Sequence, residues 1–149
     1  MGQREQKILE LTQLVGNRFI LLDKKLFFQH EGLNLHASEI HLMQVVADYP
    51  EINATGMAQK LGITKGAVSQ TLKRLEQKGA VRKQSDPYNK NELTVSFTEL
   101  GQEALRAFWV RNDGIWREYT AFLEEMSETE SSTVAEFLRR LESFLSKIS

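Results

Sequence analysis

Apolar residues recur along residues 5–29 at three- and four-residue steps: Ile8, Leu11, Val15, Phe19, Leu22 and Leu26. That spacing is one face of a helix, and it predicts a single long helix ended by His30-Glu31-Gly32. Leu9, Leu14, Ile20, Leu21, Phe27 and Phe28 widen the stripe beyond what one contact face needs. Ser38 is placed to cap a second helix, with Ile40, Val45 and Val46 inward, that stops before Pro50. A short third helix is expected at about residues 54–61. Gly62 then turns the chain, and Thr64 caps a fourth helix that runs to about Lys78 and stops at Gly79. Strand-like runs at residues 80–84 and 93–97 bracket turn-formers and polar residues, which predicts a β-hairpin with a long tip. Thr98 caps a further long helix through Leu105, Phe108, Ile115, Tyr119, Phe122 and Met126, with Asn112-Asp113-Gly114 as a candidate kink. Ser127-Glu128-Thr129-Glu130 has the form of a capping box for a last helix. There Val134, Leu138, Leu141, Leu145 and Ile148 form an apolar seam flanked by Phe137 and Phe144.

The fourth helix is the informative one. Val68, Leu72 and Leu75 make a narrow apolar edge, while Gly66, Ser69, Gln70, Lys73 and Gln77 fall opposite, bordered by Lys65 and Arg74. A face that is slim at its start and carries hydrogen-bonding groups beyond meets the demands of a DNA major groove about 12 Å wide. On that reading Gly66 and Ala67 allow close approach, and the Ala67 methyl can meet a thymine methyl. Gln70 can pair in two-pronged fashion with adenine, and Lys65 or Lys73 can reach guanine, with Ser69 also at base edges. Thr64, Thr71 and Arg74 are expected at phosphates. Ala58, Gly62 and Val68 complete a helix-turn-helix pattern, which also occurs as pure scaffold. Lys83 leads into the hairpin, and Lys90 stands at its tip between Asn89 and Asn91 as a second candidate contact.

Net charge over the whole chain is −1, and its distribution says more than its total. Residues 1–57 hold 5 Lys/Arg against 7 Asp/Glu, residues 58–92 hold 8 against 3, and residues 93–149 hold 6 against 10. A basic middle between acidic ends suits a polyanionic partner, although a solvated lysine-rich face has the same composition.

Other chemistries find little support. The chain has no cysteine, which excludes disulfides, thiolate metal sites and thiol redox sensing. No phosphate-binding glycine loop, metalloprotease motif or nucleophile elbow is present, so neither enzyme activity nor a cofactor is expected. His30, His36 and His41 lie close in sequence near Glu31 and Glu39 and form a weak candidate metal set. His36 and His41, five apart, are a poor helical pair. With no membrane-length apolar run and no signal-peptide pattern, a cytoplasmic, nucleoid-associated protein is expected.

The run "MAQKLGITKGAVSQTLKRLEQKGAVRKQSDPYNKNELTVSFTELG", residues 57–101, between a long first helix with Ser38-Glu39-Ile40 and two long last helices, resembles the multiple antibiotic resistance regulator (MarR) family. The resemblance implies a mainly α fold with a small β-hairpin, a winged helix-turn-helix with N- and C-terminal dimerisation helices. Residues 1–36 would serve dimerisation, residues 37–98 would bind DNA, with the recognition helix at about 64–78 and the wing at about 80–97, and residues 99–149 would complete the dimer. It also implies a homodimer on double-stranded DNA, most often a repressor at a pseudo-palindromic operator, modulated by a small organic effector. One departure stands at the wing: the family's usual Asp-Arg-Arg is replaced by Asn89-Lys90-Asn91, which removes the arginine fork and predicts weaker minor-groove discrimination. A winged helix serving protein interaction instead of DNA, or a metal-sensing regulator, are the rival readings.

Overall fold

Two aromatic residues at the end of the first apolar stripe leave the helix. In the computed structural model, which describes residues 1–85 and 93–148, α1 spans Gln3–Lys25 and the chain then forms strands β1 (Phe27–His30) and β2 (Leu33–His36). The predicted continuation of the helix to residue 29 is thus corrected. Glu31 (φ 44°) and Gly32 (φ 83°) both take positive φ, the geometry of a two-residue hairpin turn. The pairing sets Phe28 opposite Leu35 and His30 opposite Leu33. Phe28, Leu33 and Leu35 are buried, so one face of this ribbon belongs to the core.

Helix α2 (Ala37–Asp48) follows without a break, capped by His36 and not by the expected Ser38. The His36 backbone N–H donates to Glu39 Oε2 at 2.9 Å. Helices α3 (Ala54–Leu61) and α4 (Lys65–Gln77) come next, then the antiparallel pair β3 (Val81–Ser85) and β4 (Leu93–Phe97). Ile40, Leu42, Met43, Met57, Val68 and Leu75 are buried almost completely and form the centre against which α2, α3 and α4 pack.

Helices α5 (Glu99–Glu124) and α6 (Glu128–Ile148) complete the chain. The chain comprises two compact units, Met1–Leu105 and Arg106–Ser149. Thr98 joins α5 to the end of α4: its hydroxyl donates to the Gly79 carbonyl and accepts from the Gly101 N–H at 3.1 Å. Gly101 lies against the Ala80 carbonyl so closely that any Cβ there would overlap it. Helix α5 continues through Asn112-Asp113-Gly114, where a kink was expected. Asn112 donates to the Phe108 carbonyl at 2.8 Å, and Asp113 pairs with Arg117 one turn on. The capping box at α6 is formed as predicted, Glu130 Oε2 accepting from the Ser127 N–H and the Glu130 N–H donating to Ser127 Oγ. Among the described residues no helix is long and apolar enough to cross a membrane.

Candidate nucleic-acid interface

Short local signals set the angle between α3 and α4. Asn53 Oδ1 accepts from the Gly56 N–H at 2.9 Å and starts α3. Gly62 ends α3 in the left-handed region (φ 62°, ψ 34°), and the Ile63 N–H closes the turn on the Ala58 carbonyl at 3.1 Å. Thr64 Oγ1 then accepts from the Ala67 N–H at 3.1 Å and starts α4. Val68, Leu72 and Leu75 bury one side of α4 against the core. The opposite arc, Lys65, Gly66, Ser69, Gln70, Lys73 and Gln77, is exposed. That arc is polar and cationic, with the positive end of the helix dipole at its start.

Not every expected contact residue is available. Thr64 is exposed, and Ala67 is half-buried. Thr71, expected at a phosphate, is 4% exposed and accepts from Arg74 Nη2 at 2.9 Å. Three residues beyond Val68 and four before Leu75, it falls on the buried edge of the helix and acts inside the fold. Arg74 keeps about half its side chain in solvent, but its guanidinium also lies 3.7 Å from Glu39. Lys83 is largely covered and stands 3.4 Å from Glu76. Asn89, Lys90 and Asn91 lie outside the described residues.

Two residues to which the sequence reading gave no part in the interface matter here. Glu39, 1% exposed, receives both short contacts of Lys78 Nζ at 2.8 Å, and the same ammonium donates to the Asn34 carbonyl at 2.7 Å. This network ties the C-terminal end of α4 to α2 and β2, fixing the direction in which the exposed arc points. A lone glutamate in a stretch followed by Ile40, Leu42 and Met43 is the signal that could have found it. Arg82, exposed on β3 opposite Ser96, adds a cation to the wing and follows from the strand alternation.

The three histidines do not gather at one site. His36 packs against the Phe27 ring (centroids 5.3 Å apart), and His41 stands 3.7 Å from Asp23. Both line a cavity of about 460 Å³ together with Asp23, Leu26, Ser38 and Ile63. His30 lies elsewhere, beside Glu31 and Glu103. Glu39 is committed to Lys78 and is no metal ligand.

A helix-turn-helix whose second helix presents an open polar arc, followed by a two-stranded wing, is the arrangement of a winged helix-turn-helix. Residues 35–93 match the model of the MarR family. Transcriptional regulator HosA of Escherichia coli O111:H- is 28% identical over 114 residues, 76% of this chain and 82% of HosA. The MarR/EmrR family transcriptional regulator from Acinetobacter sp. ADP1 superposes with a TM-score of 0.69 at 22% identity, covering 96% of this chain and 97% of that one. Streptococcus pneumoniae FabT, crystallised in complex with DNA, superposes with a TM-score of 0.67 at 21% identity over 97% and 99% of the two chains.

Proposed function

We propose that the protein works as a homodimeric repressor of the MarR type, reading a pseudo-palindromic operator with α4 and modulated by a small organic effector. The observation that carries the DNA contact is the open arc of α4: Lys65, Ser69, Gln70 and Lys73 at base edges, Thr64 and Gly66 at the slim helix start. Arg74 and Lys83 contribute at the backbone only by giving up part of their internal pairing. Pairing of two chains is supported by apolar residues left open: neither α1 nor α6 buries any residue in the single chain, although Phe19, Leu22, Leu138, Phe144 and Ile148 lie on them. Residues 1–36 and 99–149 accordingly serve dimerisation and residues 37–98 bind DNA. Two units one helical turn apart, about 34 Å, address two half-sites at once.

For the effector, the cavity beside Asp23 and His41 has the size of a small-molecule site. Leu61 and Ile63 on its wall flank Gly62, the turn that sets α4. A ligand that favours one setting of this turn shifts the population of groove-matching dimers.

Selection of bound fragments from the host genome, followed by titration of the selected duplex at 50 and 200 mM salt, tests the reading. A two-fold symmetric site and a loss of roughly a thousandfold or more between the two salts are expected. A protein that retains no duplex even at low salt would instead be a winged-helix interaction module. Higher expression of a reporter behind the selected site when the gene is deleted identifies a repressor, and lower expression identifies an activator.

A further inference from the structure

The β1–β2 turn and the second turn of α5 bring three ligating side chains to one place. His30 offers a ring nitrogen, Glu31 and Glu103 each offer a carboxylate oxygen, and these atoms all lie within 4.8 Å of one another. All three belong to the same compact unit, Met1–Leu105. We propose that this triad binds a divalent first-row cation, with Zn²⁺ the best match, one per chain, and that the ion clasps the hairpin to α5. The inference stands apart from the DNA contacts, because none of the three residues lies on α4 or the wing.

Chemistry and charge both favour a cation here. An imidazole with two carboxylates is a mixed nitrogen and oxygen set suited to zinc. Neither Glu31 nor Glu103 has a Lys or Arg partner among the ion pairs of the described residues. Two carboxylates held this close with no Lys or Arg counter-charge among the described residues repel, and a divalent ion reverses the sign of that interaction. The His30 ring is already oriented, lying parallel to the buried Phe28 ring within 7° at a centroid distance of 6.4 Å.

Distances allow closure on an ion. Bonds of about 2.0–2.1 Å in a tetrahedral site put neighbouring donors roughly 3.3 Å apart. The donors therefore need to draw in by about 1.5 Å relative to the 4.8 Å limit, which rotamer changes of the exposed Glu31 and the half-exposed His30 and Glu103 supply. Three protein ligands leave a fourth position for water or an external group. Because Thr98, just ahead of α5, holds the Gly79 carbonyl beyond the end of α4, the clasp adds a tie between the hairpin and the helix anchored to the end of the recognition helix.

The test uses the full chain freed of metal with a chelator and titrated with ZnCl₂ by calorimetry and by competition with a zinc-sensitive dye. One zinc per chain at micromolar affinity or tighter is expected, and at a hundredfold excess over Kd the melting midpoint should rise by about 5–10 °C. Glu103→Gln and His30→Ala should each weaken binding at least tenfold with the metal-free melt unchanged, while His36→Ala and His41→Ala should bind as the wild type does. Should His30→Ala fail to fold, Glu31→Gln in the exposed turn replaces it and must weaken binding to the same degree. Absence of binding at 100 µM zinc overturns the proposal. So does affinity that survives Glu103→Gln, or that disappears in His36→Ala or His41→Ala.

Discussion

Gln70 stands in the middle of the exposed arc of α4, one amide free to present a donor and an acceptor together. Gln70→Ala should cost about 1–3 kcal/mol of operator affinity and relax preference at a single base position, measured by binding to a panel of singly substituted duplexes. An equal loss across the whole panel would assign the residue to the backbone instead. Gly101 makes a contrasting case, since its role is to have no side chain. Gly101→Ala drives a Cβ into the Ala80 carbonyl, a backbone atom that cannot rotate away. About 1–3 kcal/mol or more of stability should be lost in urea unfolding, and an unchanged midpoint would show that the α5 start relaxes freely. Both residues are visible in the sequence, yet only Gln70 announces its role there. Thr71 shows why: by type it is as good a phosphate ligand as Thr64, and only its spacing from Val68 and Leu75 sets the buried hydroxyl apart from the open one.

At the scale of elements, the direction of α4 depends on a buried charge pair. Lys78→Met removes the closest partner of Glu39, which is 1% exposed and then left with the Arg74 guanidinium at 3.7 Å. A loss of about 3–5 kcal/mol is expected by denaturant unfolding, whereas replacing both members by apolar residues should restore much of it. A small effect of the single change would mean that Arg74 takes over. The α6 start has a different dependence. The Ser127 hydroxyl, and after it the Ser127 N–H, holds the Glu130 carboxyl below its ordinary value of 4.5. A carboxyl depressed in the folded state stabilises above its unfolded value and loses that contribution as pH falls through the folded one. Amide exchange in the first turn of α6 should therefore accelerate as pH drops below 4.5, beyond the ordinary dependence of exchange on pH. Glu130→Gln should remove that extra step. Element positions were largely readable: Gly62, Thr64 and the Ser127 box mark their helix ends by local hydrogen bonds. The β1–β2 hairpin was missed because Phe27 and Phe28 continue the helical spacing, and the cue that ends it, Glu31-Gly32, serves equally as a helix stop and as a hairpin turn.

For the whole molecule, the decisive quantity is its mass in solution. Sedimentation at micromolar concentration should give twice the 17.1 kDa of the chain. Leu138→Glu, placing a charge on the open face of α6, should shift it toward the monomer and weaken operator binding together with the loss of mass. A wild-type chain that sediments as a monomer at these concentrations would leave the apolar faces of α1 and α6 without an occupant and remove the basis for two-half-site recognition.

The amino-acid sequence by itself determined much of what local rules control: the position of most helices, the turn at Gly62, the caps at Thr64 and Ser127, and which edge of α4 is apolar and which polar. These follow from spacing and from hydrogen bonds spanning three or four residues. Only the tertiary structure decided which polar groups are used up inside the fold. Glu39 meets Lys78 across 39 positions, Thr98 meets Gly79 across 19, and His30 comes to stand beside Glu103. Contacts between residues so far apart depend on how the elements pack, and packing is set by the fit of all the buried side chains at once, which no short window of sequence contains.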